Sequence, residues 1–233
     1  MREYLDKITG ILTRIEREEA VPMAQAAVRV ADTLAADGLI FVFGCGHSHL
    51  PGLDAFYRAG GLANVSVMLD SDLMLHDGAA KSSRMEKMKG IGGEVFRRYA
   101  VQKRDCLIVI SASGKNAVPV EVADAARAAG VPVIGISSSE YRPYGGMLHE
   151  HVDVCIDCKV PYGDACIAVG DSLMGGLSTA AACFILNSVL IDGAAAALDR
   201  GVKPPVYKSG NIEGGREHNV SLEGHFMGRI RHL

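Results

Sequence analysis

Apolar positions recur along this chain in two rhythms, and their alternation predicts its elements. Residues 2–18 place Leu5, Ile8, Ile11, Leu12 and Ile15 three and four apart, the spacing of one helix face. A second helix is expected over 21–37, with Pro22 in its first turn and Gly38 as its stop. The rhythm then changes. "LIFVFG" (39–44) is short, continuous, β-branched and aromatic, the pattern of a strand buried on both faces. "NVSVML" (64–69), "CLIVIS" (106–111), "PVIGIS" (132–137) and "HVDVCID" (151–157) repeat that pattern. Helices are expected between them at 49–59, 84–100 and 118–129, the first and last stopped by Gly60 and Gly130. Residues 70–83 show no period and predict a long loop. An apolar helix over 171–198 follows, and Pro204, Pro205 and scattered glycines predict an irregular tail from Gly201 onward.

Strands separated by helices imply an α/β fold with a parallel sheet covered on both faces. The simplest organisation is one domain over 1–233, with N-terminal helices at 1–37, a core at 38–200 and the tail at 201–233. Ligands of such sheets bind outside the carboxyl ends of the strands. That rule points to the residues after Gly44 and after Ile110.

Two similar turns stand there. After the first strand the chain reads Gly44, Cys45, Gly46, His47, Ser48, with Pro51 three residues beyond the serine. After the third it reads Ser111, Ala112, Ser113, Gly114, Lys115, Asn116, with Pro119 three residues beyond the asparagine. Ser48 and Asn116 are N-cap types, and each proline falls in a first helical turn, where its missing N–H costs nothing. Both turns therefore predict glycines, hydroxyls and free backbone N–H groups at a helix start, a combination suited to a phosphate. The predicted phosphate ligands are Gly46, Ser48, Ser111, Ser113 and Asn116, with Lys115 adding charge. The plainer alternative is a pair of well-capped helix starts.

These motifs resemble the sugar isomerase (SIS) domain family. "FVFGCGHSH" is similar to its first strand and Gly-x-Gly-x-Ser turn, and "IVISASGKNAVPVEVADAARAAGVPVIGIS" to its second motif. The tail "SGNIEGGREHN" resembles small stand-alone members related to phosphoheptose isomerases. The resemblance implies a three-layer α-β-α sandwich around a five-stranded parallel sheet, of the Rossmann or flavodoxin-like kind. It implies a phosphorylated sugar as ligand, with Ser48, Ser111 and Ser113 on the phosphate, and a homodimer or homotetramer with sites near subunit interfaces. The activity it favours is aldose–ketose isomerisation; phosphosugar lyases and non-catalytic sensors share the domain.

Isomerisation needs a proton moved between adjacent carbons, the work of a carboxylate or imidazole. His49 lies beside the first turn, and Glu217 and His218 lie in a polar, glycine-bearing stretch expected to close over a site, its own or a neighbouring subunit's. These three are the predicted catalytic residues. His47, His76 and Glu121 are the reserves; for Glu121, a plain first-turn acid competes evenly with function.

Composition narrows the partners. The net charge of −3 and the absence of a basic run argue against nucleic acid. Residues 172–191 carry no charge over a length that could span a bilayer, but serines, Thr179 and Asn187 dilute them, so a buried helix is expected and no membrane. Six irregularly spaced cysteines and a charged N-terminus without an apolar leader predict a cytoplasmic chain without disulfides. Cys155-x-x-Cys158 lacks a second ligand pair, so no metal or other cofactor is predicted, although some phosphoheptose isomerases use a divalent ion.

Overall fold

The computed structural model of the chain describes residues 2–233. The opening periodicity folds as two helices, α1 (Arg2–Glu18) and α2 (Ala20–Ala35). The apolar runs become β1 (Ile40–Gly44), β2 (Val65–Met68), β3 (Cys106–Ile110), β4 (Val133–Ser137) and β5 (Val154–Asp157). They form one all-parallel sheet in the order β2-β1-β3-β4-β5. Every residue of β1, β2, β3 and β4 is buried, as expected of strands with helices on both faces.

The pleat divides the apolar side chains between two cores. Ile40, Val42, Ile108, Ile110, Ile134 and Ile136 face α2 and the long helix α7 (Ser178–Asp199). Phe41, Phe43, Leu107, Val109 and Val133 face α5 (Ile91–Arg97) and α6 (Ala117–Ala128). The result is the three-layer sandwich that the resemblance implied.

Four expectations are corrected. The helix read at 49–59 is the short α3 (Leu50–Ala55). The loop at 70–83 contains 3-10 turns and the start of α4 (Ala79–Met85), and Gly90 separates α4 from α5 by adopting a left-handed φ of 89°. The helix read over 171–198 begins only at Ser178. Ahead of it Ala165–Val169 (β6) and Ser172–Gly176 (β7) form an antiparallel hairpin that exposes Leu173 and Met174. An uncharged run with no clear period does not reveal where strand gives way to helix. The tail is not irregular throughout: Gly215–Phe226 is a helix, α8, and Phe226 packs beside Leu39 and Tyr99.

α7 is long and apolar enough to cross a membrane by length and composition, yet it packs as a core helix, with Ala181, Ile185 and Leu186 buried in the first cluster. Its approach to α2 depends on Gly193. A Cβ there would lie 2.4 Å from Val30 Cγ1 and 3.0 Å from the Ala27 carbonyl oxygen. Gly193→Ala gains about 1 kcal/mol of helix propensity and loses about 2–3 kcal/mol to overpacking. The expected net loss of about 1–2 kcal/mol lowers Tm by roughly 2–8 °C in calorimetry. An unchanged Tm would show that the two helices do not meet this closely.

Candidate active site at the carboxyl ends of β1 and β3

Strand order places the site. The chain leaves β1 toward β2 on one side and β3 on the other, so the crossovers diverge and open a crevice at the carboxyl ends of β1 and β3. Gly44 and Ile110 are register partners across that pair. The two turns read from the sequence therefore stand side by side.

Gly44 is required by its neighbours. A Cβ on it would lie 2.2 Å from the Ser48 carbonyl oxygen, because the chain folds straight back over the strand end. Gly46 follows at φ 55°, and residues Gly46–His49 form a 3-10 turn in which Ser48 N donates to the Cys45 carbonyl at 2.9 Å. The His49 ring is buried, and its Nδ1 bonds the Gly46 carbonyl. Burial holds His49 below the usual imidazole range, so the ring is neutral and Nδ1 is the donor. Burial also keeps the Cys45 thiol protonated, which leaves it no role as a nucleophile.

In the second turn Gly114 N donates to the Ser111 carbonyl at 3.1 Å and to its Oγ at 3.2 Å, while Lys115 N donates to Ser113 Oγ at 3.4 Å. Each serine oxygen thus accepts from the turn, and its own O–H remains available to an outside acceptor. Asn116 precedes α6 but makes no side-chain cap. Glu86, at the end of α4, accepts from Val118 N through its main-chain carbonyl at 3.1 Å, and the Asn116 amide acts against burial on its carboxyl. The first turn leads into only six helical residues, so the dipole and N–H supply at the second is the stronger.

A narrow cleft of about 10 Å³ runs between the turns, lined by His47, Ser48, Ala112, Cys158, Ser178 and Thr179. Ser178 and Thr179 were not singled out in the sequence, because the start of α7 was not legible there. Asp164 holds that helix start, accepting from Leu177 N at 2.9 Å, Ser178 N at 2.8 Å and Ser178 Oγ at 2.7 Å.

Glu86 is the other residue that sequence reasoning missed. It is half-buried, the Asn116 amide of the second turn influences its carboxyl, and its charge reaches Cys45 of the first. Desolvation raises its carboxyl above the ordinary carboxylate value. Of the reserve candidates, Glu121 is structural: its Oε1 accepts from Gly90 N at 2.7 Å and its Oε2 from Gly92 N at 2.9 Å, closing the start of α5. His76 is exposed and stands edge-on to His49, with ring centroids 6.5 Å apart.

Glu217 and His218 lie elsewhere in the chain. They occupy the first turn of α8, with Glu217 exposed and His218 Nε2 at 2.9 Å from the Val206 carbonyl. Val206 bridges to Leu62, ahead of β2, so this segment belongs to the amino ends of the strands. One protomer does not bring the pair to its own two turns. Among the described residues no three His, Cys, Asp or Glu side chains converge as a ligand set, and burial pushes the Cys158 thiol up to about 12.

The SIS domain model matches residues 3–138 of this chain, a span that holds both turns. The chain belongs to the SIS domain family. Relatives of this SIS protein along its whole length are UPF0309 proteins. One from Caldanaerobacter subterraneus subsp. tengcongensis is 38% identical, covering 99% of this chain and 98% of its own. One from Brucella anthropi is 39% identical, over 99% and 97%. Among solved structures, the phosphoheptose isomerase of Neisseria gonorrhoeae superposes with a TM-score of 0.51 at 20% identity, covering 86% of this chain and 99% of its own. At that identity the likeness is one of fold.

Proposed function

We propose that this SIS protein binds a phosphorylated sugar and interconverts its aldose and ketose forms. The observation that carries the reading is the juxtaposition at β1 and β3: hydroxyls free to donate on Ser111 and Ser113 and the Gly46–Ser48 turn beside them, with Glu86 packed against the start of α6. Hydroxyl and backbone N–H donors with Lys115 nearby suit a phosphate. The cleft between the turns is too narrow for a sugar, so in this reading the sugar lies outside it. A half-buried carboxyl held above the ordinary carboxylate range by burial is suited to proton transfer. In this reading Glu86 takes the proton from the carbon next to the carbonyl and returns it to the neighbouring carbon. His49, bonded to the Gly46 carbonyl, fixes the turn that holds the phosphate.

The deciding experiment is incubation with phosphoheptoses, hexose 6-phosphates and N-acetylated amino-sugar phosphates in heavy water. Solvent deuterium at the carbon next to the carbonyl of one of them is expected. Tight binding with no exchange across the set makes the protein a sensor.

The protein acts, in this reading, as a homodimer or homotetramer. α1, α2 and α7 leave Leu5, Val21, Ile191 and Leu198 more than half exposed, an apolar surface for a second copy. Proton transfer by Glu217 or His218 would need the tail of such a copy over the two turns. Light scattering at micromolar concentration is expected to give twice or four times the monomer mass of 24.7 kDa; a monodisperse monomer removes both the assembly and that route.

A further inference from the structure

A second cavity, of about 540 Å³, lies between residues 57–59 and the C-terminal segment. Its volume is in the range of small-molecule sites. It stands at the amino ends of the strands, away from the two turns: Gly60 N donates to the Tyr207 carbonyl, Tyr207 N to the Gly61 carbonyl and Ala63 N to the Pro205 carbonyl, fixing the segment ahead of β2. The C-terminal side is equally built. Asn219 clamps Lys208 through both its N–H and its carbonyl, at 2.9 and 2.8 Å. A Cβ on Gly215 would lie 2.0 Å from the Ser209 carbonyl oxygen.

The lining is cationic and aromatic. Arg58, Lys208 and Arg216 contribute positive charge, and Glu223 is the carboxylate among them. Arg58 pairs with Asp54 at 2.5 Å, and Glu223 accepts from the Tyr57 hydroxyl at 2.7 Å. Among the described residues neither Lys208 nor Arg216 has an ion-pair partner. Tyr57 and Tyr207 pack edge to face, with centroids 5.3 Å apart.

The hydroxyl of Tyr207 is the independent sign of a ligand. Tyr207 is 4% exposed, and its hydroxyl is buried with no hydrogen-bond partner. An unmet buried hydroxyl costs free energy in a native protein and calls for an explanation. Burial pushes its pKa up to about 12, so it is a donor in want of an acceptor. Its neighbour Tyr57 is exposed, at φ 47°, in the left-handed region that tyrosine disfavours and that recurs at ligand-binding positions.

We infer that this cavity binds a small ring-bearing organic anion, its phosphate or carboxylate on Lys208 and Arg216. The ring packs on Tyr57, and the occupant turns that side chain aside to accept from the Tyr207 hydroxyl. The site is separate from the sugar-phosphate site and does not depend on it.

The test is a titration of the full chain, its tyrosines ¹³C-labelled, with AMP as probe and adenosine as the uncharged control. The signals of Tyr57 and Tyr207, assigned through Tyr57→Phe and Tyr207→Phe, are expected to shift saturably with AMP. Adenosine should bind at least roughly tenfold more weakly, and Arg216→Ala should weaken AMP by a similar factor. Tyr207→Phe, followed on Tyr57, should weaken AMP roughly fivefold without lowering Tm, since the unbound protein loses only an unsatisfied group. Ser113→Ala should change nothing here. The inference is overturned by no saturable shift up to about 10 mM, by equal affinity for adenosine, by indifference to Arg216→Ala, or by loss of binding in Ser113→Ala.

Discussion

Replacing Glu86 by glutamine is expected to lower turnover on an established sugar phosphate by about 100-fold or more, the scale of a lost general base. Affinity should stay within a factor of about 3, because glutamine keeps the shape and an accepting carbonyl oxygen. Stability supplies a second readout with a definite sign. Burial raises the Glu86 pKa above 4.5, so the folded state holds this proton more tightly than the unfolded state. The stability this contributes is full below the unfolded value and is lost as pH rises through the folded one. At neutral pH the ionised carboxylate is a cost, and Glu86→Gln removes it. The variant should therefore melt no lower than the parent at pH 7, with its relative advantage shrinking toward pH 4. Turnover of the parent should rise with pH through a value above the ordinary carboxylate range, and that limb should vanish in the variant. A glutamine variant with full turnover would move the proton-transfer step elsewhere, to the tail of a second protomer first.

Gly44→Ala is expected to damage both fold and binding. The new methyl would lie 2.2 Å from the Ser48 carbonyl oxygen, 2.4 Å from its carbonyl carbon and 2.9 Å from His49 N. All three are backbone atoms, and none can rotate away. Either the strand end shifts against β3 or the Gly46–His49 turn opens. An overpacking cost of about 2–3 kcal/mol corresponds to a fall of roughly 4–12 °C in Tm for a chain of this size. Because the same turn carries Gly46 and Ser48, sugar-phosphate affinity should drop at least about tenfold even at temperatures where the variant is folded. A variant with the parent's Tm and affinity would mean that the turn is not the one described.

The strands were legible because burial on both faces leaves a short, continuous, β-branched run, and "LIFVFG" and "CLIVIS" are unambiguous in those terms. The two turns were legible because glycines at a strand end mark a close return of the backbone, as at Gly44. The tail helix α8 was hidden by its polarity: it lays Phe226 on the core but exposes most of its length, so its apolar period is weak. The β6–β7 hairpin was hidden by the opposite cause, an apolar stretch continuous with α7. Glu86 could not be found from local pattern at all. It enters the proposal only because the end of α4 meets the start of α6, where Val118 N donates to the Glu86 carbonyl, a contact between distant positions that only the fold creates. Glu217 and His218 stood out for their chemistry, but chemistry does not say which end of a sheet a segment will reach.

The claim that both turns hold one phosphate is tested most directly by calorimetric titration of the parent and of Ser113→Ala with a binding sugar phosphate and with the same sugar unphosphorylated. The parent should bind the phosphorylated form far more tightly. Ser113→Ala should lose about 1–3 kcal/mol of that preference with little change in Tm, as for removal of one donor to a charged group. Equal affinity of the parent for the two sugars, or a serine variant that binds the phosphate as well as the parent does, would contradict the account.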